Sequence, residues 1–241
     1  MGKPFINSIQ PHVFSNFNLL SSIMRKKTKR NRRTRLTRLT QKVKKKTKSK
    51  ALNIDEYLVL NQKDVNLLYE ITEKTIDILD DNDVTYWATD GTLLGIKRSK
   101  GFIPWDDDVD IAIDIKDKAK LRSLKELFKE VGLELVGVGK YMKVKDPSNK
   151  KVWIDVFILR NGVWPQAHYS DIAFKPGELY PLKKGTFGPL TMNIPNQSDK
   201  YLDRIFKDWR KVAYIYNHHT KGKQKISFKD YPELKKPVVP D

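Results

Sequence analysis

The chain has 241 residues, room for one domain with appendages or for two small domains. It contains no cysteine, which excludes disulfide staples and any cysteine-ligated zinc site. The net charge of +18 suggests a polyanion binder only until the charge is located. Residues 25–50 hold 15 Lys or Arg and no Asp or Glu, and residues 1–24 add Lys3 alone. Residues 51–241 then carry 31 basic residues against all 29 acidic ones, so the body is close to neutral and the basicity says nothing about a site within it.

Residues 1–24 show no clear period, and the stretch 13–24 is too short and too polar to span a membrane. Neither a signal peptide nor a transmembrane segment is visible, so a cytoplasmic or other intracellular protein is expected. Residues 25–50 are low in complexity, self-repelling and almost without apolar residues, which predicts a disordered basic tail. Such a run suits nuclear targeting, contact with nucleic acid or an anionic membrane surface, or plain solubilisation.

Order is expected from about residue 51. Asn61 can cap a helix over 61–80 whose apolar stripe is Val65, Leu68, Ile76 and Leu79. A short buried strand follows at 84–88, then a turn at Thr89-Asp90-Gly91 and a short helix over 92–99. Residues 108–114 (DVDIAID) alternate with period two, and 116–131 read as one amphipathic helix. Strands are expected at 133–138, 141–145 and 151–159. Prolines at 165, 176, 181, 189 and 195 then exclude long regular elements. Ser198 or Asp199 can cap a last helix to about residue 214, and 216–241 read as a loose Lys/Pro-rich tail. The order of elements predicts an α/β (α+β) domain over 51–215.

The chemistry is carried by four features. On a strand, Asp108 and Asp110 project to one face while Val109, Ile111 and Ile113 project to the other. Two carboxylates side by side repel unless a cation or protons neutralise them, and a hard divalent ion such as Mg²⁺, or Mn²⁺, removes that cost. Alone, an Asp-x-Asp is more often a solvated strand end. Second, Gly91-Thr92 opens a helix after a strand, where free N–H groups, a close backbone and a hydroxyl can seat phosphate. An ordinary capped turn is the plainer alternative.

Third, Asp155 lies in an apolar strand, so it needs a cationic or hydrogen-bonding partner, a metal, or a role as general base. Fourth, Lys97, Arg98 and Lys100 follow the Gly-Thr turn and can neutralise phosphate oxygens, Arg98 with the best planar geometry. Trp105 is read as a core anchor rather than a stacking surface. Asp106 shares the parity of Asp108 and Asp110, but Pro104 argues against a strand that starts so early.

The string GTLLGIKRSKGFIPWDDDVDIAI, residues 91–113, together with WIDVFIL and NIPNQSDKYLDRIFKDW, resembles the LicD/fukutin family of the polymerase-beta-like nucleotidyltransferase superfamily. The likeness covers about residues 60–212. It implies a nucleotidyltransferase-like mixed sheet flanked by helices. It also implies transfer of a phospho-alditol or phosphocholine-like group from a CDP-activated donor to a glycan hydroxyl. By motif, Asp108, Asp110 and Asp155 would be the catalytic and metal-binding carboxylates, and Gly91, Thr92, Arg98 and Lys100 the phosphate or nucleotide contacts. The rival expectations are a nucleotidyltransferase acting on RNA or a small nucleotide, and a non-catalytic polyanion binder on an inactive core.

Overall fold

The computed structural model describes residues 60–138, 141–160, 173–217 and 222–241. The basic tail expected over 1–50, the first residues of the expected domain and the link at 139–140 lie outside them. All described residues fall in one compact unit, Leu52–Asp241.

Helix α1 spans Gln62–Asp81, and the Asn61 side chain caps it by accepting the Asp64 N–H at 2.9 Å. Val65, Leu68, Thr72, Thr75, Ile76 and Leu79 are buried along one stripe, and α1 packs against strands of the main sheet. Asn82 and Asp83, the latter at φ 49°, end it. Strand β1 (Tyr86–Ala88) leads directly into α2 (Asp90–Arg98). Strand β2 occupies Asp108–Asp114, as the alternation predicts.

The amphipathic run after β2 is not one helix. It is a 3₁₀ turn (Ile115–Asp117), then α3 (Lys118–Ser123) and α4 (Lys125–Glu130), broken at Leu124. The apolar residues Leu121, Leu124 and Phe128 still face the core, so the pattern reported the buried side correctly and missed the break. Strands β3 (Glu134–Val138), β4 (Tyr141–Lys145) and β5 (Trp153–Leu159) follow.

The main sheet has the order β1-β2-β5-β4-β3. Only the β2–β5 pair is parallel; the others are antiparallel. Its fully buried residues include Val109, Ile111 and Ile113 on β2 and Ile154 and Val156 on β5. At the far end of the sheet Trp87, opposite Ala112, meets Phe174 and Tyr180 edge-on, and Phe174 stacks on Tyr201 at 4.0 Å. These rings close that end and leave Asp108 and Asp110 half-buried at the start of β2.

The C-terminal third departs from the sequence expectation. Two short strands, β6 (Lys183–Phe187) and β7 (Leu190–Ile194), form a hairpin turned at Gly188, whose φ is 57°. Helix α5 covers only Ser198–Ile205; the expected extension to 214 is instead a turn and strand β8 (Val212–Asn217). Ala213 and Ile215 are buried and Tyr214 is exposed, so this segment has period two. Strand β9 (Gly222–Ser227) pairs with β8, and a 3₁₀ turn follows at Pro232–Lys235. The segment expected as a loose tail is thus built in from residue 222 onward. Ile226, Phe228 and Leu234 share a small core, and Val238 bridges to Phe102. Lys and Pro dominate its composition, but these few apolar residues supply its anchor.

Candidate active site

The β2–β5 register sets Asp110 opposite Asp155 and Asp108 opposite Trp153. Carboxylate oxygens of Asp108, Asp110 and Asp155 come within 4.8 Å of one another, from two neighbouring parallel strands. The three carboxylates expected to act together therefore do meet. A second acidic group, Asp106, Asp107 and Asp108, adjoins them.

Two strong links tie α2 to β2. The Gly91 N–H donates to Asp110 Oδ2 at 3.2 Å, and the Asp110 N–H donates to Thr92 Oγ1 at 2.8 Å. A side chain on Gly91 would place its Cβ 2.4 Å from Asp106 Oδ2 and 3.5 Å from Asp110 Oδ2. The anion that Gly91 admits is therefore the protein's own carboxylate cluster. Thr92 is buried and its hydroxyl oxygen is occupied by the Asp110 backbone, so both residues brace the acidic strand directly.

Arg98, the last residue of α2, lies with its guanidinium 5.3 Å from the ring centroids of both Trp105 and Phe228. Its Nε and Nη2 are buried with no hydrogen-bond partner among the described residues. Burial lowers its pKa to about 10, and the nearby Asp106 carboxylate opposes that shift. Arg98 and Trp105 line a cavity of about 600 Å³ with Leu94, Phe206, Trp209 and Tyr214. Trp105 is thus both a packing residue and a cavity wall.

Lys100 is exposed at φ 68°, past the end of α2, where its carbonyl accepts the Gly188 N–H. It stands about 13 Å of helical rise from Gly91. Lys97 is paired with Asp199 at 3.1 Å. Neither lysine is brought to the carboxylates.

Two contributors escaped the sequence reading, and a third, Asp106, was weighed there and set aside. Asp106 precedes β2, yet its carboxylate reaches Gly91 from the loop, so strand parity was the wrong test for it. Asp90, at φ 40° in the first turn of α2, acts electrostatically on Asp110. Lys143 on β4 lies opposite Asp155, with Nζ 3.3 Å from Asp155 Oδ1 and 3.9 Å from the Trp153 ring centroid. The alternation of Tyr141, Lys143 and Lys145 on β4 was visible, but the register that aims Lys143 at Asp155 was not.

Burial, reinforced by neighbouring carboxylates, raises Asp106 to about 8 and Asp108 to about 7. Burial raises Asp90 to about 6. Asp110 is pushed well above the usual carboxylate range by burial and then by Asp108, Asp90, Asp106 and Asp155. Asp155 is raised by burial and held back by Lys143. Such a cluster is stable only with shared protons or a bound cation, and its all-oxygen donor set fits a divalent metal such as Mg²⁺ or Mn²⁺.

Residues 83–197 match the family described as LicD/FKTN/FKRP, nucleotidyltransferase domain. An uncharacterized protein of Rickettsia prowazekii is 31% identical over 202 residues, covering 78% of this chain and 74% of that protein. Ribitol 5-phosphate transferase FKRP of Mus musculus is 29% identical over 152 residues, 58% of this chain but only 31% of that enzyme's length. Among solved structures, the lincosamide antibiotic adenylyltransferase LnuA superposes with a TM-score of 0.39 at 14% identity, covering 70% of this chain and 97% of that one. The chain belongs to the LicD/FKTN/FKRP family, and its acidic strand β2 lies within the family's nucleotidyltransferase domain.

Proposed function

We propose that this protein is a metal-dependent phosphotransferase that moves a phospho-alditol or phosphocholine-like group from a CDP-activated donor to a glycan hydroxyl. The observation that carries the proposal is the convergence of Asp108, Asp110 and Asp155 within 4.8 Å on adjacent parallel strands. The relationship to FKRP, a ribitol 5-phosphate transferase, supports transfer of a phospho-alditol group.

Asp108 and Asp110, with Asp155 beside them, would hold the divalent ion. When bound, that ion supplies positive charge to the donor's diphosphate oxygens. Asp155 orients the acceptor hydroxyl and takes its proton as the oxygen attacks phosphorus. The bond between that phosphorus and the bridging oxygen breaks, and CMP leaves with the electron pair. Arg98 lies on the Asp106 side of the cluster, next to the aromatic cavity, where its unmatched donors can meet the donor's nucleotide portion.

The test is release of nucleoside monophosphate from CDP-, UDP- and GDP-linked donors, with Mg²⁺ or Mn²⁺ and with a chelator. CMP release from a CDP-linked donor, abolished by chelation and by Asp108→Asn or Asp110→Asn, is the expected result. Metal-independent release, or full activity in the Asp108→Asn/Asp110→Asn double variant, would overturn the proposal.

A further inference from the structure

We propose that Lys143 is a positioning residue that occupies the place of a second metal ion, so that this site holds one divalent cation and one built-in ammonium. The inference rests on the carboxylate cluster being a metal site, as proposed above.

Three strands define the arrangement. Asp110 on β2, Asp155 on β5 and Lys143 on β4 lie opposite one another in one register row. Residues in register on neighbouring strands project to the same face, so Lys143 points to the face that bears the carboxylates. Its Nζ reaches Asp155 Oδ1 at 3.3 Å, and its side chain is only 22% exposed. Two rings restrain the ammonium: Trp153 at 3.9 Å and Tyr141 at 5.9 Å from their centroids. A lysine held this way has little freedom to swing out into water.

The charge arithmetic of the row follows from that placement. A divalent ion bonded to Asp155 must sit about 2.1 Å from a carboxylate oxygen. If it bonded Oδ1 it would share that oxygen with an ammonium, and the two cations would repel inside a half-buried pocket. Asp155 Oδ1 is thus taken by its ion pair with Lys143, and a single ion shared with Asp108 and Asp110 would use the other carboxylate oxygen.

Titrating the full chain with Mn²⁺, by calorimetry and by electron paramagnetic resonance, separates the readings. Wild-type protein is expected to bind one Mn²⁺ with an uncoupled spectrum. Lys143→Met frees Asp155 Oδ1 and is expected to bind a second Mn²⁺, seen as a stoichiometry of two and a spin-coupled signal. Lys143→Arg should keep a stoichiometry of one. The double variant Lys143→Met/Asp155→Asn leaves no carboxylate at position 155 without its ammonium and should return to one ion, which guards against a single variant that does not fold. Two ions bound by wild type, or identical stoichiometry in wild type and Lys143→Met, would overturn the inference and leave the proposed metal dependence standing. No Mn²⁺ bound by wild type would overturn both. In turnover, Lys143→Met should lower kcat far more than it raises the donor KM, with partial rescue by Lys143→Arg; a change confined to KM would refute the positioning role.

Discussion

Replacing Asp106 by Asn in the metal-free protein should stabilise it, and the gain should depend on pH in a set direction. Asp106 rises from an ordinary 3.8 to about 8 in the folded state, through burial and then the charges of Asp108 and Asp107. Its folded pKa is raised, so the folded form binds more protons than the unfolded form between these two values. Stability is full below about pH 4 and is lost as pH rises toward 8. A shift of that size corresponds to roughly 6 kcal/mol at 1.36 kcal/mol per unit. Halving for solvent screening of a partly exposed group leaves roughly 3 kcal/mol. Loss of the Asp106 charge beside Arg98 takes back part of this, so a net gain of about 2 kcal/mol at pH 8 is expected. With a urea dependence near 2 kcal/mol per molar, the midpoint should rise by about 1 M. Urea unfolding in a chelator at pH 8 and pH 4.5 measures it, and at pH 4.5 the gain should nearly vanish. An Asp106→Asn protein no more stable than wild type at pH 8, or equally favoured at both pH values, would refute the electrostatic account of the cluster. Saturating Mg²⁺ should shrink or reverse the difference, because the ion neutralises what the proton or the substitution otherwise neutralises.

Gly91→Ala forces Asp106 away from a Cβ it would meet at 2.4 Å, so Mn²⁺ affinity by calorimetry should fall by about tenfold, about 1.4 kcal/mol, although Ala favours the helix. Lys100→Ala should leave donor KM and kcat within about twofold of wild type, because Lys100 stands at the other end of α2 from the carboxylates; a loss beyond tenfold would return it to the site. Tyr69→Phe removes a hydroxyl that accepts from the Phe102 N–H at 3.0 Å and donates to the Val238 carbonyl at 2.9 Å. It should cost roughly 1–3 kcal/mol in urea unfolding and speed proteolysis near the C-terminus.

The legible parts of the molecule were those where a local pattern and the tertiary environment agree. Asn61 caps α1 because its oxygen meets the Asp64 N–H, a contact within one turn. Strand β2 keeps its predicted bounds because every second residue is buried on the core side. The break at Leu124 was hidden because both sides of it expose the same face. Strand β8 was misread because Tyr201, Leu202 and Ile205 set a helical rhythm that the chain abandons at Phe206. In the site, the carboxylates two apart on β2 were legible, and so was the need of Asp155 for a partner. The identity of that partner depends on a register between β4 and β5 that no local pattern specifies.

The geometry also changes how the Gly-Thr turn relates to the acidic strand. The sequence presents a phosphate seat and a metal pair as separate devices, eighteen residues apart at their closest bonded positions. In the fold they are one. Asp110 gives its backbone N–H to Thr92 and takes the Gly91 N–H on its carboxylate, a reciprocal pair that fixes both its main chain and its side chain. A carboxylate aimed by two such bonds loses little freedom when it meets a cation, so its order is provided by the fold and not by the ligand. The missing side chain at Gly91 then lets Asp106 come close enough to raise the repulsion further. Helix α2 thus does two opposed things at its first turn: it steadies Asp110 with donors and crowds it with acid. The balance favours a cluster that repels itself without a cation or shared protons, and a cation bound at the proposed site would therefore add to the stability of the domain.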